Sequence, residues 1–126
     1  MQSVTGPRGN CFSACLASMF ECDISAVPNF YEIAGDDDAA WWAAVRDWLR
    51  MRGFGIMFLE LSDPKHIGMF EGWFIVSGKS ARGVDHATIW CGGEMRHDPH
   101  PSNGGLVKPD GIDLIYPLDA ARLSLR

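Results

Sequence analysis

Apolar and polar positions follow two different rhythms along this chain, and the change falls near residue 53. In the first part Phe12, Leu16 and Met19 recur at helical spacing. Asn10, behind the loop signal Gly6-Pro7-Arg8-Gly9, is a competent N-cap. The spacing therefore predicts a helix over 11–20, with Cys15, Leu16 and Met19 facing a core. A second stripe, Trp41, Trp42, Val45, Trp48 and Leu49, predicts an amphipathic helix over 39–52 whose Arg46, Asp47 and Arg50 face away. Asp36-Asp37-Asp38 in front of it suit a cap and first turn through the helix dipole, rather than metal binding, and Gly53 ends it. The stretch 21–30 reads as irregular, broken by Pro28, with a short turn at 24–27.

Beyond residue 54 the pattern becomes short apolar runs between turn signals, which predicts antiparallel strands at 55–61, 72–77, 86–91, 94–98 and 112–116. Gly92-Gly93 is the signature of a tight hairpin between the third and fourth. The expected class is α+β, N-terminal helices packed on an antiparallel sheet of about five strands. There is no internal repeat, and 117–126 reads as a short terminal segment.

With 126 residues, 47% of them hydrophobic, the chain can bury one core, and 1–126 is expected to be a single domain. A net charge of −5 and scattered basic residues argue against nucleic acid as a partner, because phosphate neutralisation needs a clustered basic face. Met1 is followed by polar residues and the apolar runs are shorter than a membrane span, so a cytoplasmic protein with no membrane partner is expected. Reduced thiols are then expected for Cys11, Cys15, Cys22 and Cys91. Cys11 and Cys15 lie one helical turn apart, a poor disulfide geometry and a possible metal pair, and both readings stay open. A zinc site would need His86 and Cys91 as well, and these point to opposite faces of one strand. No metal and no cofactor is expected.

The chemistry concentrates on three residues. Cys11 opens a helix, where the dipole and free backbone N–H groups stabilise a thiolate. His86 opens a strand, sharing one face with Thr88 and Trp90 while Ala87, Ile89 and Cys91 take the other. Asp98, brought alongside by the hairpin, can accept from the imidazole and fix its tautomer. An acyl transfer also needs an oxyanion hole. The Cys11 N–H is one donor, and Gln2, or more weakly Asn10, offers a second. Lys79, Ser80 and Arg82 lead into His86 and are assigned to a substrate entrance. His100, between Pro99 and Pro101, is assigned to the rim, and His97 to the opposite face. Trp41 or Trp42 is expected at a binding groove, and Trp48 and Phe74 in the core. Ser77-Gly78-Lys79-Ser80 lacks the upstream glycine spacing and following helix of a phosphate-binding loop.

As a set, Gly9-Asn10-Cys11-Phe12, Ala14-Cys15-Leu16-Ala17-Ser18, Val27-Pro28-Asn29-Phe30, Trp41-Trp42, Ser77-Gly78-Lys79-Ser80 and His97-Asp98-Pro99-His100-Pro101 resemble a family of small proteins of bacteria and their phages. Beneath that, the order Cys, His, Asp-Pro is similar to the papain-like cysteine peptidase superfamily, in particular its bacteriocin-leader-processing branch. The resemblance implies a minimal papain-like domain with Cys11 as nucleophile, His86 as base and Asp98 as orienting residue. It implies a hydrolase that cleaves a peptide, isopeptide or other amide bond through a thioester, with a peptide or protein as substrate. The sequence departs from that pattern at the oxyanion glutamine, where Thr5 stands near the usual spacing and Gln2 lies further out. Two other readings stay open: a thiol acyltransferase with an amine acceptor, and a non-catalytic module that binds a host protein.

Overall fold

The structure is a computed structural model and describes residues 9–119. Three helices precede five strands: α1 (Cys11–Met19), α2 (Phe30–Ala34), α3 (Asp38–Arg50), β1 (Phe54–Glu60), β2 (Trp73–Lys79), β3 (Asp85–Cys91), β4 (Glu94–His97) and β5 (Lys108–Pro117). The class is α+β, as the pattern predicts. Three-residue and six-residue 3-10 turns, Ile24–Ala26 and Pro64–Met69, lie in the connections.

Local chemistry accounts for the helix boundaries. Asp37 caps α3 by accepting from the Ala40 N–H at 3.1 Å, with Asp38 in the first turn, so the acidic run is spent on helix initiation. Asn29 caps α2 in the same way, taking the Tyr31 N–H at 3.1 Å. α1 is the exception. Asn10 occupies its N-cap position, yet its side chain makes no capping bond and only its carbonyl serves the helix, accepting from Ala14 N–H. The α2 helix and the 64–69 turn fall in stretches that the hydrophobic pattern leaves irregular. Each is too short for a periodic stripe and is announced only by its cap, Asn29 or Asp63.

All strand pairs are antiparallel, but their spatial order is β1-β5-β2-β3-β4. The last strand is thus threaded into the middle of the sheet. It begins four residues before the predicted 112–116 because Lys108 and Pro109 still pair with Lys79 and Gly78, across a register shift between Ser77 and Gly78. Gly78 is required there: a Cβ would stand 2.1 Å from the Lys108 carbonyl oxygen, so only glycine lets the two backbones approach. The β3–β4 hairpin turns on Gly92 and Gly93, both at positive φ (64° and 80°), as a two-residue primed turn demands.

One face of the sheet packs under α1 and α3, where Cys15, Leu16, Val45, Trp48 and Leu49 meet Ile75, Ala87 and Ile89. The other face holds a smaller core of Phe74, Val76 and Ile112 beneath Ile67 of the 3-10 turn. Alternation along β3 follows the predicted split: Ala87 and Ile89 join the helical side, while Trp90 packs on the opposite cluster and donates to Thr88 Oγ1 at 2.9 Å. Among the described residues no single helix is long and apolar enough to cross a membrane.

Candidate active site

Cys11 is the first residue of α1, and α1 lies on β3, so the helix N-terminus comes to the end of the strand that begins at Asp85. The thiol is partly buried. Its desolvation pushes its pKa up, against the opposing pull of backbone N–H groups of Ala87, Phe12 and Cys11. The expectation that the helix end lowers the thiol's pKa is therefore corrected: burial outweighs the amides. The Ala87 amide is also a positional marker, since Ala87 follows His86 directly. Cys11 and His86 line one cavity of about 120 Å³.

His86 Nε2 meets Asp98 Oδ1 at 2.5 Å, and both side chains are essentially inaccessible to solvent, at 1% and 0% exposure. Asp98 stands one residue past the end of β4 rather than within the strand. The turn that follows wraps back on its carboxylate: His100 N–H donates to Oδ1 at 2.8 Å and Gly105 N–H to Oδ2 at 2.7 Å. Burial alone would raise the carboxyl. The hydrogen bonds from His86, His100 and Gly105 outweigh that and hold it below its ordinary value. Asp98 is thus both a turn former and the residue that fixes the imidazole.

The peripheral assignments divide. Trp41 and Trp42 both line the cavity, with ring centroids 4.8 Å apart and nearly perpendicular planes. Trp48 and Phe74 are core residues as expected. Lys79 is exposed and pairs with Asp85 at 3.0 Å. Ser80 is buried and its hydroxyl donates to the Val84 carbonyl at 3.1 Å, closing its own loop. Arg82 reaches Ser102 Oγ at 3.4 Å. None of these three lines the cavity. His100 sets its ring at a right angle to His86, centroids 6.0 Å apart, while its Nδ1 engages Ser102. Partial desolvation, then the charges of Arg82 and His86, lower its pKa. His97 lines a separate cavity of about 490 Å³ with Ser18, Met19 and Trp73. Asn10 is buried at the helix start. Gln2 lies outside the described residues.

One residue of the cavity went unread in the sequence. Asp113, on the central strand β5, projects to the helical side with 2% exposure, and its Oδ1 has no hydrogen-bond partner among the described residues. Desolvation pushes its pKa up to about 7. The signal was present as a lone carboxylate inside the apolar run Ile112-Asp113-Leu114-Ile115, but its importance depends on β5 lying next to β2, which no local pattern announces. The four cysteines are free thiols, and no cluster of three metal-ligating side chains occurs among the described residues.

No family model, no curated protein and no solved structure matches the chain.

Proposed function

We propose that the chain is a papain-like thiol hydrolase acting on a peptide, isopeptide or other amide bond. The observation that carries this reading is the buried His86–Asp98 pair at 2.5 Å, with His86 among the residues that line the same cavity as the helix-terminal Cys11. Asp98 on Nε2 leaves Nδ1 as the nitrogen that exchanges protons with the thiol. In the proposed reaction Cys11 Sγ attacks the carbonyl carbon as its proton passes to His86. The imidazolium returns that proton to the leaving amine as the C–N bond breaks, and the acyl group remains on sulfur as a thioester. Water, deprotonated by His86, then attacks the thioester, releasing a carboxylic acid and restoring the thiol. Asp98 stabilises the imidazolium in both halves. The Cys11 N–H at the helix start would donate to the oxyanion.

The test is a panel of peptide, isopeptide and simple amide substrates, quenched in acid and read by intact mass. A covalent adduct confined to Cys11, absent in Cys11→Ala and strongly reduced in His86→Ala, is the expected result. Absence of both adduct and product across the panel would favour the non-catalytic binding module. Transfer of the acyl group to an added amine in preference to water would favour the acyltransferase.

A further inference from the structure

Two residues that line the cavity each carry a buried polar atom that nothing in the described residues answers, Asp113 Oδ1 and Trp41 Nε1. One is an acceptor and one a donor, and both residues line the space that Cys11 and His86 border. An unanswered buried polar group costs stability, so two in one cavity ask for a ligand. Around them the wall is aromatic: Trp42 stands 4.8 Å from Trp41 and 6.0 Å from Phe58, centroid to centroid. An adjoining cleft of about 280 Å³ shares Trp41, Trp42 and Asp85 and adds Asp38 and Asp110, while among the described residues no lysine or arginine lines either space. The sign of the entrance is thus opposite to the cationic one expected from Lys79 and Arg82. Aromatic faces and carboxylates form an environment for a positive charge, although Asp85 already pairs with Lys79 at 3.0 Å. At about 120 Å³ the inner cavity is well below the roughly 300–1,000 Å³ of a typical small-molecule site, which suits one side chain.

Building on the thiol-hydrolase reading, we propose that this cavity selects a basic side chain, lysine or arginine, on the substrate that acylates Cys11. Asp113 is its counter-ion, and Trp41, Trp42 and Phe58 enclose its stem and charge. A backbone carbonyl of the same substrate accepts from Trp41 Nε1. Other titratable groups bordering the two spaces are Cys11 from α1, Tyr31 from α2, Asp38 from α3, Asp85 and His86 from β3, and Asp110 from β5. Asp38 and Asp110 add to the attraction, while Asp85 is paired with Lys79; among the described lining groups His86 can oppose it as a cation. Because Asp113 titrates at about 7, a cation must displace its proton in more acid solution. Affinity should therefore rise with pH through this range and flatten above it.

The experiment uses the Cys11→Ala protein, in which binding is separated from chemistry, and follows tryptophan fluorescence during titration with N-acetyl-lysine, N-acetyl-arginine and N-acetyl-norleucine methylamides. The expected result is at least a tenfold preference for a basic probe over norleucine at pH 8, falling severalfold by pH 6. The relative strength of the lysine and arginine probes identifies the preferred cation. Asp113→Asn in the same background should erase both the preference and its pH dependence. The pH comparison needs no change at Asp113, so it stands even if that variant folds poorly. Equal binding of norleucine, or a preference that survives in folded Asp113→Asn, overturns the cation site. A cation site without thioester chemistry in the wild-type chain would instead overturn the hydrolase reading alone.

Discussion

Asp98 and Asp113 are two aspartates of this fold that sit at 2% exposure, and their pKa values move in opposite directions. Asp98 receives the His86 ring and the N–H groups of His100 and Gly105, and its pKa falls below the ordinary value. Asp113 is desolvated with no such compensation, and its pKa climbs from 3.8 to about 7. Desolvation is the leading contribution at both positions, so the partners decide the outcome. A carboxylate already satisfied can orient a catalytic base, while one left wanting is poised to meet something from outside.

The linkage to stability has opposite sign at the two sites. Asp98, with a lowered folded-state pKa, contributes stability that is present above about pH 4 and lost as pH falls through that lowered value. Asp113, with a raised one, contributes stability that is full below 3.8 and is lost as pH rises to about 7.

The strongest way to break the comparison is Asp98→Asn. The carboxamide keeps the shape but can no longer hold the imidazole in its working tautomer or stabilise its cation, so thioester formation should slow by about 10³–10⁴-fold, measured by single-turnover kinetics. A loss of less than tenfold would mean that Asp98 is only a turn former. Asp113→Asn should act on stability as well as on binding. Urea unfolding across pH should show the wild-type chain losing up to about 4 kcal/mol between pH 4 and 8 relative to the variant, the upper bound set by the rise from 3.8 to about 7. Parallel curves would place Asp113 in a better-solvated setting than its burial implies.

Two smaller substitutions sharpen the account by probing the frame that holds these carboxylates. Gly78→Ala drives a Cβ against the Lys108 carbonyl where β2 and β5 meet beside His86, and should cost about 1–3 kcal/mol, visible as a lower Tm. Asp37→Ala removes an exposed cap from α3 and should cost about 1 kcal/mol in the same assay, without changing thiol chemistry.

Much of this arrangement is legible in the sequence. The stripes containing Leu16 and Trp48, the acidic cap before α3 and the Gly92-Gly93 hairpin are local signals, and they place α1, α3, β3 and β4 correctly. The expected pairing of His86 with Asp98 follows from that hairpin and is present. What was not legible is non-local. The insertion of β5 between β1 and β2 brings Asp113 to the cavity that Trp41 and Trp42 also line, and this depends on packing across the whole sheet. The raised pKa of Cys11 was missed for a related reason: helix position is visible in sequence, but the depth of burial against Ala87 is not. Lys79 and Ser80 looked like entrance residues because they precede His86, yet one faces Asp85 and the other seals its own loop.

The central claim, that His86 activates Cys11, is tested most directly by competitive alkylation with iodoacetamide near neutral pH, mapped by peptide mass. Exposure alone favours Cys22, which is solvent-accessible, over the partly buried Cys11, whose thiol burial makes harder to ionise. The account predicts that Cys11 is modified first in the wild-type chain and that the order reverses in His86→Ala. Labelling of Cys22 ahead of Cys11 in the wild-type protein, unchanged by removal of His86, would contradict it.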